Sequence, residues 1–328
     1  MTRGRLADTV TPMTQEHGSQ VPADPAGRDD RLRRSYSLDG HRVEAAPITP
    51  GLHIVSTPIG NLGDITLRAL STLAAADLIA CEDTRVTRKL LDRYAIAAPV
   101  TPYHDHNATT ARPKLLQRLA EGAAIALVSD AGTPLISDPG YKLVRAVREA
   151  GYPVTAIPGA SSILAALAVA GLPTDQFFFA GFLPPKQGAR RARIAELARV
   201  PATLIVFETG PRLAEALADL TAGLGEREAA VCRELTKLHE EVRRHPLKTL
   251  AQASANQETR GEFVLVIAPP PADAAPRAED ADALLRAALA RTSLKEAVGE
   301  VMVATGLPRR TLYQRALALA DETDKDGD

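Results

Sequence analysis

The sequence predicts an α/β protein made of two α/β units in series followed by a small helical unit. Three observations carry this. From Leu52 onward, short apolar runs alternate with segments of helical period, the signature of a parallel α/β sheet. Pro158-Gly159 interrupts the alternation midway and marks a joint. A stiff proline-rich stretch beginning at Pro269 separates three further helical segments from the rest.

Residues 1–48 hold seven arginines and seven acids with almost no apolar periodicity, and are expected to be a disordered extension. The first α/β domain is placed at 49–158, with strands at 52–56, 78–81, 123–128 and 154–157. Helices are placed at 66–75, 87–94, 112–121 and 141–150, the last with Leu143, Val144 and Val147 on one face. The second domain, 159–268, opens with a small-residue helix at 161–170 and has strands at 203–207, 229–232 and 263–268. After a linker at 269–280, helices at 281–291, 293–304 and 309–320 form a C-terminal domain at 281–322. The turn Thr305-Gly306-Leu307-Pro308 before Arg309, Arg310, Tyr313 and Gln314 suits a helix-turn-helix.

At 328 residues and 45% hydrophobic content the chain can build proper cores. Its longest apolar run, 163–172, is too short for a membrane span, and the N-terminus lacks the apolar core of a secretory signal, so a cytoplasmic location is expected. Cys81 and Cys232 each end an apolar run, which suits buried thiols better than a disulfide, and no metal-ligand spacing occurs. A net charge of −1 excludes a generally basic coat for nucleic acid but permits local asymmetry. Segment 186–199 has five basic residues, Lys186, Arg190, Arg191, Arg193 and Arg199, against Glu196 alone. Both a solvated helix face and a phosphate-binding patch fit that composition.

The richest stretch is Val-Ser-Asp-Ala-Gly-Thr-Pro-Leu-Ile-Ser-Asp-Pro-Gly, residues 128–140, between a strand and a helix. It lies at a strand's carboxyl end, where open α/β sheets bind ligands. Gly132 permits close backbone approach, while Pro134 and Pro139 remove freedom around it. Ser129, Asp130, Ser137 and Asp138 suit either ligand contacts or turn and helix capping. There is no glycine-rich dinucleotide fingerprint and no phosphate-loop lysine, so nicotinamide chemistry and nucleotide hydrolysis have no handle here.

Four more segments accompany that loop: Ser56-Thr57-Pro58-Ile59-Gly60-Asn61-Leu62-Gly63-Asp64, Cys81-Glu82-Asp83-Thr84-Arg85, Pro158-Gly159-Ala160-Ser161-Ser162 and Arg233-Glu234-Leu235-Thr236-Lys237. In this order, over residues 51–320, the chain resembles the tetrapyrrole methylase superfamily, and within it the branch that 2′-O-methylates a cytidine in the decoding region of 16S rRNA. The resemblance implies S-adenosyl-L-methionine bound in a cleft between two α/β domains, a homodimer, and 16S rRNA within the 30S subunit as partner. It implies cofactor neighbours at Pro58, Ser129, Asp130, Ala131, Gly132, Thr133, Ser161, Ser162, Glu208 and Gly261. Ser161 and Ser162 also suit the cap of the helix they precede. Asp130 suits a ribose hydroxyl or the ammonium, and loop amides near Gly132 the carboxylate.

Methyl transfer to a ribose hydroxyl is an in-line displacement that gains mostly from positioning, helped by a base or by a cation near the forming alkoxide. The candidates are Asp83 and Glu82 first, Lys237 as electrostatic partner, Glu234 beside it, and His104 and His106 last. Glu82 and Asp83 with Arg85 and Arg88 equally suit an ion-pair cluster at a helix start. Lys186, Arg190, Arg191, Arg193, Arg85, Arg88 and the C-terminal Arg309, Arg310 and Arg315 are the candidate RNA contacts. The sequence departs from the family pattern in its N-terminal extension, in Pro211 where histidine is common, and in His245 where glycine is common. Two rivals stand beside this reading: a relative acting on a tetrapyrrole or corrin, and a non-catalytic RNA-binding assembly factor.

Overall fold

The computed structural model describes residues 34–255, 260–271, 278–305 and 307–325. It opens with a hairpin, β1 (Ser35–Leu38) and β2 (His41–Glu44), joined by an Asp39-Gly40 turn. Part of the expected disordered extension is therefore ordered, while residues 1–33 lie outside the described residues. Four-residue strands are too short to show periodicity, and docking decides their order. Tyr36 is buried in the first core, Ser37 N–H donates to the Tyr94 carbonyl at 2.7 Å, and Arg34 donates to the carbonyls of Ala75 and Ala76 at 2.8 and 2.6 Å.

The first domain's sheet has five parallel strands, β3 (Gly51–Val55), β4 (Leu78–Cys81), β5 (Val100–Pro102), β6 (Ala124–Val128) and β7 (Val154–Ile157), ordered β5-β4-β6-β3-β7. Central β3 and β6 are buried along their whole length, as a strand covered on both faces must be. Helices α1 (Leu67–Ala75) and α2 (Thr84–Arg93) supply one core through Leu70, Leu73, Leu90 and Leu91. Helices α3 (Ala108–Ala120) and α4 (Tyr141–Glu149) supply the other through Leu115, Leu119, Leu143 and Val147. The loops leaving β3, β4, β6 and β7 all emerge at the carboxyl edge, which is what assembles a site there.

The second sheet is mixed. Its strands β8 (Phe177–Phe182), β9 (Thr203–Thr209), β10 (Glu228–Arg233), β11 (Glu241–Pro246) and β12 (Glu262–Ile267) are ordered β11-β10-β12-β9-β8, with only β8 and β9 parallel. Helix α5 (Ser162–Ala170) packs on one face through Ile163, Ala166, Leu167 and Ala170. Helices α6 (Gln187–Leu197), α7 (Gly210–Leu224) and α8 (Leu247–Ser254) cover the other face. Sequence reading finds β9, β10 and β12 but neither edge strand. β8 is interrupted by glycine, and β11, with Glu241, Arg243, Arg244 and His245, is charged as edge strands often are.

Helices α9 (Ala278–Leu289), α10 (Leu294–Thr305) and α11 (Arg309–Lys325) share a core of Leu285, Val298, Val301 and Leu312 among others. The part of the expected linker at 272–277 lies outside the described residues. Arg315, expected among the RNA contacts, makes a two-pronged ion pair with Asp282, 2.7 Å on each arm, that ties α11 to α9.

Candidate active site

A cavity of about 350 Å³ lies between the carboxyl edge of the first sheet and the second domain. From the first domain it is lined by Ile59, Glu82, Asp130, Ala131, Gly132, Thr133 and the stretch Ile136-Ser137-Asp138. The second domain contributes Ser161, Ser162, Ile163, Phe182, Phe207, Glu208, Cys232, Glu234 and Lys237. The sequence-predicted residues Glu82, Asp130, Ala131, Gly132, Thr133, Ser161, Ser162, Glu208, Glu234 and Lys237 thus meet around one cavity.

Local structure explains why they stand there. Thr57 N–H donates to the Gly132 carbonyl at 2.8 Å and Gly132 N–H to the Thr57 carbonyl at 3.1 Å, so the loops after β3 and β6 are stitched together. Gly132 makes this bridge at φ +75, a conformation that suits glycine, and its own amide is occupied by Thr57. Farther along the same loop, Leu135 at φ 77 and Ser137 at φ 62 are held in left-handed backbone, strain of the kind found where a loop's shape is functional. Ser161 accepts from Leu164 N–H at 3.5 Å, so it caps α5 and directs that helix's N-terminus at the cavity.

Pro58, Ser129, Gly261 and Asp83 do not reach the cavity wall. Pro58 is buried beneath it, and Ser129 is buried behind it with Oγ donating to the Ala131 carbonyl at 3.2 Å. Gly261, at φ +102, backs Glu234 so closely that a Cβ would meet Glu234 Oε1 at 2.7 Å, so it shapes the site from behind. Asp83 caps α2 by accepting from Arg85 N–H at 2.8 Å and pairs with the Arg85 guanidinium at 2.6 Å. Those bonds from Arg85 lower its pKa to about 2, which makes Asp83 a poor base and corrects its leading place among the candidates.

The neighbouring carboxylates behave oppositely. Burial, then the charges of Asp138 and Asp130, raises Glu82 above the usual carboxylate range. Burial likewise raises Asp130, whose Oδ1 accepts from Asp83 N–H at 3.1 Å, and Asp138. Across the cavity Glu208 is 1% exposed. Its Oε1 accepts from Thr209 N–H at 2.8 Å and lies 3.3 Å from Arg212 Nε, but its Oε2 has no partner. Burial is the main reason its pKa is raised. Lys237 Nζ donates to Glu234 at 3.1 Å and Glu262 at 2.7 Å; burial alone would lower its pKa, yet the two carboxylates outweigh that and keep it cationic. Glu234 and Thr236 in this loop also hold positive φ, 47 and 68. Burial pushes the Cys232 thiol up to about 12, so it lines the wall as an inert group. Cys81 is buried and free as well. Among the described residues no cluster of His, Cys, Asp or Glu is arranged to hold a metal ion.

On the basic helix α6, one expected phosphate contact, Arg190, is sealed inside the fold. Arg190 is 1% exposed, with Nε donating to Asp219 at 2.7 Å and the guanidinium also bonded to Glu215 at 3.1 Å and the Pro185 carbonyl at 3.2 Å. Arg191 shares Asp219 at 2.7 Å, and Arg193 pairs with Glu196 at 2.7 Å. Arg190 is thus an internal tie between α6 and α7. Lys186, Arg199, Arg85, Arg88, Arg309 and Arg310 are exposed. His104 and His106 sit after β5 with ring centroids 6.0 Å apart and line no part of the cavity. Sequence reading missed Ile136, Phe182 and Phe207, and left Ser137 and Asp138 open between ligand contacts and capping; both line the cavity. The loop itself was the signal for the latter two; Phe182 and Phe207 depend on how strands of the second sheet are turned.

Residues 51–251 match the model of the Tetrapyrrole (Corrin/Porphyrin) Methylases, which makes the two-domain cleft that of a methyltransferase using S-adenosylmethionine. The chain belongs to this family, and within it with the proteins called ribosomal RNA small subunit methyltransferase I. One of them, from Mesorhizobium japonicum, is 52% identical over 288 residues, covering 87% of this chain and 97% of its own. Another, from Erythrobacter litoralis, is 53% identical over 279 residues, covering 85% and 99%. Residues 275–320 match the RsmI C-terminal HTH domain. In fold, the chain resembles the cobalt precorrin-4 methyltransferase structure at TM-score 0.51 and 19% identity, covering 66% of this chain and 94% of that one. A conserved hypothetical protein of Aeropyrum pernix K1 aligns at TM-score 0.53 and 18% identity, covering 85% and 98%.

Proposed function

We propose that the chain transfers a methyl group from S-adenosylmethionine to the ribose 2′-oxygen of a cytidine in the decoding region of 16S rRNA. One juxtaposition supports the reading: a buried carboxylate with one oxygen lacking a hydrogen-bond partner, Glu208 through its Oε2, shares one cavity with a cluster whose leading member, Glu82, is tuned upward. The relatives' shared name supports RNA as the acceptor class.

These residues fit the cofactor. Glu208 Oε2 needs a donor, which the cofactor's ammonium, ribose or adenine amino group offers. Ile59, Ile163, Phe207 and Val264 supply apolar wall, and the start of α5 supplies N–H groups for a carboxylate. When bound, the cofactor supplies a methyl carbon on a sulfonium, an excellent leaving group. Glu82 would accept the 2′-hydroxyl proton, which frees the oxygen's electron pair for the methyl carbon. Lys237, kept charged by Glu234 and Glu262, stabilises the developing alkoxide. The exposed Arg85 and Arg88 on α2, with Lys186, Arg309 and Arg310, bind phosphates of the 30S subunit. A cytoplasmic homodimer completes the proposal; Leu164 and Val169 are large apolar side chains that α5 leaves exposed, as surfaces for self-association do.

The test is to incubate the protein with labelled S-adenosylmethionine and 30S subunits from cells lacking the modification, and map the label. Label on a ribose of the decoding region is expected; label only on an added tetrapyrrole would support the corrin rival, and RNA binding without turnover the assembly-factor rival.

Glu208→Gln is expected to weaken S-adenosylmethionine binding about 10- to 100-fold by calorimetry, the loss of a hydrogen bond to a charged group. The apo variant should melt no lower than the wild type near neutral pH. Because burial raises the folded pKa of Glu208, its favourable contribution to stability is present in acid and lost as pH rises through that pKa. Unchanged cofactor affinity would remove Glu208 from the binding site.

A further inference from the structure

On β8 the alternation of faces is broken. Phe179 pairs with Ile205 and Phe182 with Phe207, so three steps on β8 span two on β9. In an unbroken strand, residues three apart point to opposite faces; one extra residue at Ala180-Gly181 returns them to the same face. Gly181 sits at the bulge with φ +68, and the nearest atom to a Cβ there would be Ser137 Oγ, 3.6 Å away in the strained loop of the first domain. The bulge therefore lies against the opposite wall of the cleft and re-aims one side chain.

That side chain is Phe182. Its ring stands edge-to-face with Phe207, centroids 5.6 Å apart, while Phe179 packs on the same Phe207 at 4.8 Å. Phe179 is partly buried and packs against the core, but Phe182 is 52% exposed and lines the cavity. A large aromatic left half open in the cavity that Glu82 also lines, and held by a second ring, has no folding rationale that Phe179 does not already satisfy.

Resting on the RNA reading above, we propose that Phe182 is the stacking platform for the base of the target nucleotide. In-line attack by a ribose 2′-oxygen requires a nucleotide drawn out of its stack, and an aromatic face in the cleft offsets the stacking lost. Stacking is indifferent to base edges, so Phe182 positions the nucleotide while the RNA's shape selects it. It is a positioning residue; Glu82 remains the proton acceptor.

The experiment compares the wild type with Phe182→Leu, which keeps apolar bulk without a π-face, and Phe182→Trp, which keeps the face. Phe182→Leu is expected to lower kcat/KM for 30S subunits about 10- to 100-fold, with Phe182→Trp near wild type and calorimetric affinity for S-adenosylmethionine unchanged in both. If Phe182→Leu methylates subunits like the wild type, or loses cofactor affinity instead, the proposal is overturned. Should the wild type itself transfer no methyl group to subunits, the RNA reading fails. The platform is then decided by an RNA oligonucleotide carrying 2-aminopurine, whose fluorescence is quenched on stacking. Quenching by wild type and Phe182→Trp but not by Phe182→Leu supports it, and equal quenching by all three overturns it.

Discussion

Glu82→Gln is expected to slow methyl transfer by about 100-fold or more at neutral pH, the range lost with a general base. Glutamine keeps the shape and the cavity lining but cannot accept the 2′-hydroxyl proton. Cofactor affinity should stay near wild type, because Glu208 and the start of α5, not Glu82, are assigned to the cofactor. The pH profile sharpens the test. A base works unprotonated, and burial with Asp138 and Asp130 holds the Glu82 pKa above the ordinary carboxylate range, so the wild-type rate should climb with pH through that raised value. The glutamine variant should lose that climb. Asp83→Asn provides the contrast: its carboxylate, held near pKa 2 by Arg85, is already unprotonated throughout, so substitution there should leave the profile's shape intact. A full wild-type rate in Glu82→Gln would move the base elsewhere, and Asp138, raised by burial and by Asp130, would be next to test.

Asp219→Ala is expected to destabilise the protein by about 3 kcal/mol in urea unfolding, because it removes the buried partner of a buried guanidinium and leaves only the exposed Glu215 to balance its charge. Asp219 is 3% exposed and takes Arg190 on one oxygen and Arg191 on the other, both at 2.7 Å. Burial pushes its pKa up, but the hydrogen bonds from Arg191 and Arg190 outweigh burial and leave it lowered. A lowered folded pKa contributes stability that is present above the unfolded value, about 3.9, and lost as pH falls through the folded one. The wild-type advantage over Asp219→Ala should accordingly shrink only in strong acid. The double variant Arg190→Met with Asp219→Leu should recover most of the lost stability, since well-packed apolar pairs often replace buried ion pairs without loss. If Arg190 were an RNA contact, that double variant would fold yet bind subunits less tightly; unchanged affinity is expected.

Much of the site was legible in the sequence because parallel topology forces it. Loops leaving neighbouring parallel strands converge at one edge, so the motifs after β3, β4 and β6 had to meet whatever their spacing in the chain. Glu82, Asp130 and Gly132 could be found that way. The role of Asp83 could not, since a carboxylate that opens a helix reads alike whether it caps the first turn or takes a proton. The hairpin β1–β2 was equally hidden: its order comes from Arg34 and Tyr36 docking on α1, contacts some forty residues away in sequence.

By itself, the sequence determined the two-unit α/β plan, the loops that carry the chemistry and the family, because apolar period and strand-end motifs are local properties. Only the tertiary structure decided which charges face water. Arg190 and Arg191 are adjacent in the chain, yet about 100° apart around α6, so one is sealed against Asp219 of α7 and the other keeps 60% of its side chain exposed. It also decided that Phe182 opens into the cleft, because a bulge at Gly181 reverses the phase of β8, and that phase is set by pairing with β9.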